Sequence, residues 1–265
     1  MSVPAVHAQA VTLSFGGLTA LQNFSLQVQR GELRGIIGPN GAGKTTAFNV
    51  LTGIYAPSSG SIHIAGYNTH RQTPAQIAAL GIARTFQNIR LFQGFTVLQT
   101  VAVACHCHRS ASWVATLAAL PSAIRAERAI ERIALQCLER VGLSHRAQDN
   151  ATTLPYGEQR RLEIARALAT EPHCLLLDEP AAGLNAVERA DLVALIRRLR
   201  DELDLAILLI EHDMKLVMDL CEQLLVLDHG CTIAEGSPTD VRQNPAVIEA
   251  YLGGTSFAPE APRHG

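Results

Sequence analysis

The chain has 265 residues, 48% of them hydrophobic and 17% charged, enough to bury a sizeable core in one large domain or in a core with a subdomain. Its formal net charge is −2, with no block of like charge, so nothing in it calls for a nucleic-acid backbone. The apolar runs, CLLL at 174–177 and LAILLI at 205–210, are too short for a membrane span, and MSVPAVHAQAVTLSF lacks the basic and long apolar regions of a secretory signal.

In chain order, AVTLSF, FSLQV, ELRGIIG and SIHIAG read as strands separated by turns rich in Gly and Asn. The spacing predicts a helix over 43–52 that stops at Gly53. Ala-rich segments from about 97 to 140 have helical character, interrupted near Pro121. This all-helical stretch separates two strand-containing regions, as an inserted subdomain would. A helix is expected at about 158–170, then a buried strand at 174–178. An amphipathic helix over about 187–203 places Leu192, Leu195, Ile196, Leu199 and Leu203 on one face. LAILLI, a short helix and the apolar run QLLVLDHG follow. Buried strands alternating with helices imply a parallel sheet covered on both faces. The C-terminal GGTSFAPEAPRHG reads as a loose tail.

Six cysteines, at 105, 107, 137, 174, 221 and 231, show no framework spacing and read as free thiols of a reducing cytosol. CHCH at 105–108 misses the two-to-four-residue cysteine gap of zinc sites and has no matching second pair, so no metal is assigned to it.

GPNGAGKTT reads as a complete phosphate cradle, formed by Gly38, Pro39, Asn40, Gly41, Ala42, Gly43, Lys44, Thr45 and Thr46. An apolar strand leads into it and a helix leaves it. Its glycines let successive amides point at phosphate oxygens. Lys44 adds a point charge toward the β- and γ-phosphates, and the Thr45 hydroxyl is placed to ligate Mg²⁺. A P-loop needs an acidic partner on a neighbouring strand. CLLLDE supplies one: Asp178 would hold Mg²⁺ through water, while Glu179 orients or deprotonates the attacking water. A second anion site is suggested by LPYGEQRRLEIARAL at 154–168, where a helix begins behind a bare glycine.

With these motifs in this order, the chain resembles the ATP-binding subunits of ABC transporters from about residue 8 to 253. LPYGEQ (Pro155, Tyr156, Gly157, Glu158, Gln159) is similar to the family's signature motif. RTFQN places Gln87 at the glutamine loop, which touches the metal and faces the membrane subunit. IEHD places His212 at the switch histidine near the γ-phosphate, and Phe15 matches the aromatic that stacks on adenine. Taken singly, Gln87 and His212 read as polar loop-end residues and Phe15 as core. The resemblance implies an α/β P-loop NTPase core with an N-terminal antiparallel β region and an inserted all-helical subdomain. It places a single domain over 1–253, with its core at about 8–88 and 159–253, helices at about 89–158 and a tail at 254–265.

In this family two subunits pair head to tail, so each ATP lies between one cradle and the other's signature helix. The two anion sites of one chain are then halves of two composite sites. Two positions depart from the family pattern. Pro155 stands where serine is usual and also reads as a helix-initiating proline in the first turn. Asn185 stands where the D-loop usually has aspartate, and with Glu188 it also reads as an N-cap with its capping-box partner.

FGGLTAL, GIARTFQNIRLF, LPYGEQRRLEIARAL and DEPAAGLN together resemble the branched-chain amino-acid uptake ATPases. The partners so implied are two hydrophobic permeases, a sister ATPase in a hetero- or homodimer, and a periplasmic binding protein acting indirectly. The expected place is the cytoplasmic face of a bacterial inner membrane. Alternative cargoes are urea, short amides or other amino acids. A lipopolysaccharide-export ATPase has a similar core, but its glutamine loop lacks the ARTFQNIRLF wording. A clamp on nucleic acid is disfavoured by the charge and by the lack of a second ATPase half.

Overall fold

The computed structural model describes residues 3–87, 89–109 and 121–252. The expected tail at 254–265 and the side chains of Cys107 and His108 in CHCH lie outside the described residues.

Two sheets organise the chain. β1 (Val6–Phe15), β2 (Leu18–Val28), β4 (Ser59–Ile64) and the short β5 (Tyr67–Asn68) form an antiparallel sheet in the order β2-β1-β4-β5. The second sheet has the order β10-β9-β3-β8-β7-β6, from β3 (Leu33–Ile37), β6 (Ile82–Arg84), β7 (Cys174–Asp178), β8 (Ala206–Ile210), β9 (Gln223–Asp228) and β10 (Cys231–Gly236). Five of its strands are parallel, and β10 returns antiparallel along β9.

Side chains on successive strand residues point to opposite faces, and both faces of the parallel sheet are buried. Ile36, Leu176, Leu208, Ile210 and Leu225 enter a core beneath the antiparallel sheet and α1 (Lys44–Leu51). Ile37, Leu175, Leu177, Leu209 and Val226 enter the opposite core. That second core also takes in α3 (Val97–Arg109), α4 (Pro121–Arg140), α5 (Tyr156–Leu168), α6 (Ala186–Leu203) and α7 (Met214–Leu220), with α3 and α4 packed on each other and on α5. The continuous apolar runs at 174–177 and 205–210 are therefore what a doubly covered sheet demands. Residues 192, 195, 196 and 199 of α6 are buried as the helical spacing predicts, with Leu203 half-buried at the end.

The remaining helices are α2 (Pro74–Ala79), α8 (Pro238–Gln243) and α9 (Pro245–Leu252). Each of these begins with proline in its first turn, and α2 is closed by a Thr73/Gln76 capping box. No helix of the described residues is long and apolar enough to cross a membrane. Cys105, Cys137, Cys174, Cys221 and Cys231 are thiols outside any disulfide, and all but Cys231 are buried. Burial pushes the Cys137 thiol up to about 11 and the Cys221 thiol up to about 12.

Candidate functional site

The parallel register gathers the carboxyl ends of β3, β6, β7 and β8 along one edge, where ligands bind in open α/β sheets. β3 ends into the cradle. Gly38 has φ +148°, and a Cβ there would lie 2.0 Å from the Leu227 carbonyl oxygen, so only glycine fits. Gly43, at φ +101°, is the N-cap of α1, and no side chain caps that helix. Its open amides face a cleft of about 410 Å³ lined by residues 40–46, Glu179 and His229 among others.

Lys44 is buried, and its Nζ donates to the carbonyls of Gly38 at 2.7 Å and Pro39 at 2.9 Å. Burial lowers its pKa, while Glu179 and Asp178 pull it back up. The lysine is thus held across the cradle by the loop's own oxygens, ready to exchange them for stronger anionic acceptors.

Glu179 follows the last residue of β7 in a left-handed conformation, φ 47°, with its amide bonded to the Ile210 carbonyl at 2.9 Å. A non-glycine residue in that region is uncommon, and here it turns the carboxylate off the sheet edge. Its Oε2 accepts from Gln87 Nε2 at 2.7 Å, and His212 Nδ1 stands 3.8 Å away. Two residues from two other segments therefore converge on the Glu179 carboxylate beside the cradle. Such a carboxylate is placed to take a proton from a water attacking a phosphoryl group.

Asp178, one residue back, is buried and ion-paired with Arg84 at 2.7 Å. Arg84 also donates to Asn49 Oδ1 at 2.7 Å and lies over the Phe48 and Phe86 rings at 5.3 and 5.2 Å. Sequence reasoning missed Arg84, although it stands in the quoted ARTFQ. It also missed Glu211, the residue before His212. Glu211 is almost fully buried, with Oε1 accepting from the Ala181 amide at 2.9 Å and Oε2 from the His212 amide at 3.2 Å. Burial raises its pKa; the Ala181 amide and His212 oppose that shift. An acidic residue closing an all-apolar strand was the available signal.

Hard oxygen donors suit Mg²⁺, and Thr45, Gln87 and Asp178 supply a hydroxyl, an amide oxygen and a carboxylate. Among the described residues no group of three or more His, Cys, Asp and Glu side chains is placed to hold a metal. These residues fit an ion that takes most of its ligands from phosphate and water.

The signature residues stand elsewhere, and none of 155–159 lines the cleft over the cradle. Pro155 is the N-cap of α5, with ψ 150°, rather than a residue of its first turn; the helix starts at Tyr156, two residues before the expected position. The reason is local: the Pro155 carbonyl already accepts the first helical bond, from the Gln159 amide at 3.0 Å. Proline offers no capping oxygen, so no side chain caps this helix start either. Gly157 lies against the Glu188 carboxylate, 2.8 Å from where a Cβ would be. Glu158 turns to Arg146 at 3.5 Å and Gln159 to the Leu154 carbonyl at 2.7 Å. Asn185 caps α6 with a complete capping box to Glu188. Phe15 is 47% exposed, meets Tyr55 edge-on at 5.1 Å and stands outside the cleft lining.

A model of the family described as ABC transporter matches residues 21–182. A second model, branched-chain amino acid ATP-binding cassette transporter, matches residues 231–255. The high-affinity branched-chain amino acid transport ATP-binding protein BraF of Pseudomonas aeruginosa is 47% identical, over 96% of this chain and 99% of its own. Among solved structures, the ADP conformation of MJ1267, an ATP-binding cassette of an ABC transporter, matches with a TM-score of 0.82 and 30% identity, over 95% of this chain and all of that one. A dimeric post-hydrolysis state of the ATP-binding cassette MJ0796, bound to ADP and Pi, matches with a TM-score of 0.73 and 25% identity, over 88% and 98%. The cradle, the converging carboxylate and these likenesses together establish that the chain belongs to the ABC transporter family, as one of its ATP-binding, ATP-hydrolysing subunits.

Proposed function

We propose that this chain is the motor of an importer for the branched-chain amino acids leucine, isoleucine and valine. Two such subunits close head to tail around ATP, and hydrolysis reopens them. The observation that carries the motor reading is the Gln87–Glu179–His212 convergence beside a complete P-loop. The cargo is supported by the 47% identity with BraF and by the match at 231–255. The head-to-tail pairing is supported by the uncapped start of α5, an anion site with no cradle of its own chain beside it.

In this reading the amides of residues 40–46 and Lys44 bind the phosphates, and Phe15 carries the adenine. Thr45, Gln87 and, through water, Asp178 would hold Mg²⁺, which when bound would neutralise phosphate charge. Glu179 takes the proton of the attacking water, with Gln87 fixing its carboxylate and His212 facing the γ-phosphate. Residues 155–159 close over the ATP of the partner subunit. The protein works as one domain over 1–253, with helices at 89–158 inserted in the core. It sits at the cytoplasmic face of the inner membrane on two permease subunits, beside a sister ATPase, and a periplasmic protein delivers the solute.

The test is uptake of labelled leucine, isoleucine and valine in cells lacking the gene, restored with wild-type or Glu179→Gln copies, with urea and short amides run alongside. Rescue of branched-chain uptake by the wild-type copy alone is expected. Purified Glu179→Gln should hydrolyse ATP roughly 10²–10⁴-fold more slowly, as for loss of a general base. Rescue confined to urea or amides would overturn the cargo, and a wild-type rate in Glu179→Gln would remove Glu179 from its role.

A further inference from the structure

The segment that carries Gln87 is fastened from behind by the helix that carries the signature motif. Arg160, one turn into α5, is 4% exposed. Its Nη1 donates to the Phe86 carbonyl at 3.1 Å, and its Nη2 to the Gln87 carbonyl and the Tyr156 hydroxyl, both at 2.7 Å. The guanidinium also lies over the Tyr156 ring, 5.2 Å from its centroid. Glu163, three residues on and so on the same helix face, accepts from the Arg90 amide at 3.3 Å and pairs with Arg160 at 3.4 Å. Arg166, three further, donates to the Arg90 carbonyl at 2.5 Å.

A buried guanidinium is retained only where its donors are satisfied. Here Nη1 and Nη2 are satisfied, and two of their four partners are the Phe86 and Gln87 carbonyls of the glutamine loop. The others are the Glu163 carboxylate and the Tyr156 hydroxyl of α5, so separating loop and helix would strip Arg160 of half of these bonds. The far side of the same loop residue matters too, because the Gln87 side chain holds Glu179 at 2.7 Å. Arg160 thus stands between the N-terminus of α5 and the carboxylate beside the chain's own cradle.

We infer that Arg160 is a positioning residue that makes the glutamine loop and the signature helix move as one body, so that the state of the ATP held against α5 by the partner subunit sets the geometry of Gln87 and Glu179 in this chain. The inference rests on the head-to-tail reading above. It assigns Arg160 no contact with nucleotide; its effect passes through Gln87.

A double-mutant cycle tests it. ATP turnover is measured for wild type, Arg160→Met, Gln87→Ala and the double variant, with thermal melting to establish folding. Arg160→Met should lower kcat about ten- to a hundred-fold, the scale of a slight misplacement of reacting groups, and leave KM for ATP within about twofold. In the Gln87→Ala background the same substitution should change kcat by less than about twofold, since residues acting through one contact are not additive. Arg160→Lys keeps the charge but not the fork, and should fall between; it carries the cycle if the Met variant does not fold. Independent, multiplicative losses would overturn the inference. Hydrogen exchange gives a second reading. ATP added to Glu179→Gln should protect residues 86–90 and the start of α5 together, and protect only α5 once Arg160 is also replaced. Joint protection persisting without Arg160 would also sink the coupling. A wild-type protein that hydrolyses no ATP would instead defeat the motor reading itself.

Discussion

Arg84→Met removes the cation that faces Asp178 where β6 and β7 end side by side. Both side chains are nearly closed to solvent, at 6% and 5% exposure, so the variant leaves a buried carboxylate without its bonded ion-pair partner, with the Lys44 charge, not bonded to it, as its remaining neighbour. Breaking a buried pair by deleting one partner costs about 3–5 kcal/mol. Asn49 Oδ1 loses its donor as well, worth about 1 kcal/mol. Methionine keeps most of the aliphatic volume between Phe48 and Phe86, so little packing is lost with the charge. The sum is roughly 4–6 kcal/mol. In a chain of this size each kcal/mol moves the melting temperature by roughly 2–4 °C, giving a drop of roughly 8–24 °C. The assay is thermal unfolding followed by circular dichroism without nucleotide. Adding Asp178→Asn to Arg84→Met should recover much of the loss, because no unpaired ion then remains buried. A single variant melting within about 2 °C of wild type, or a double variant that melts lower still, would refute the reasoning.

Three further outcomes are expected. Lys44→Ala should abolish tight nucleotide binding in a fluorescence titration; normal MgATP affinity would refute the cradle assignment. His212→Ala should impair hydrolysis more than binding, and the opposite pattern would make it a structural residue. Pro155→Ser restores a hydroxyl at the uncapped start of α5. If that hydroxyl reaches the phosphate, a bond to a charged group is worth roughly 1.5–3 kcal/mol, and KM for ATP should fall about tenfold or more; an unchanged KM would leave Pro155 as a helix-start residue only.

The parts of the fold read correctly from the sequence are those whose signal is local or strongly periodic. The runs at 174–178 and 205–210 have one possible environment, a sheet covered twice, and they occupy it. The α6 stripe and the Asn185/Glu188 capping box depend only on spacing within one helix. The elements not anticipated are α2, β5, β6, β10, α8 and α9, of two to eight residues each. They are too short for periodicity to register, and pairing or packing partners determine them instead. β6 is a strand because β7 lies beside it, with Ile82, Ala83 and Arg84 paired to Cys174, Leu175 and Leu176.

By itself the sequence determined the cradle, because the backbone of GPNGAGKTT is dictated by its own glycines and by the strand and helix at its two ends. It determined the presence of Asp178, Glu179, Gln87 and His212, and the family to which they belong. Only the tertiary structure decided what those side chains touch. Gln87 meets Glu179 across 92 residues, Arg84 meets Asp178 across 94, and Arg160 reaches the glutamine-loop carbonyls across 73 and 74. Such contacts carry no local signal. They arise because parallel strands bring distant chain segments to one edge, where each buried charge must find its partner or cost the fold its stability.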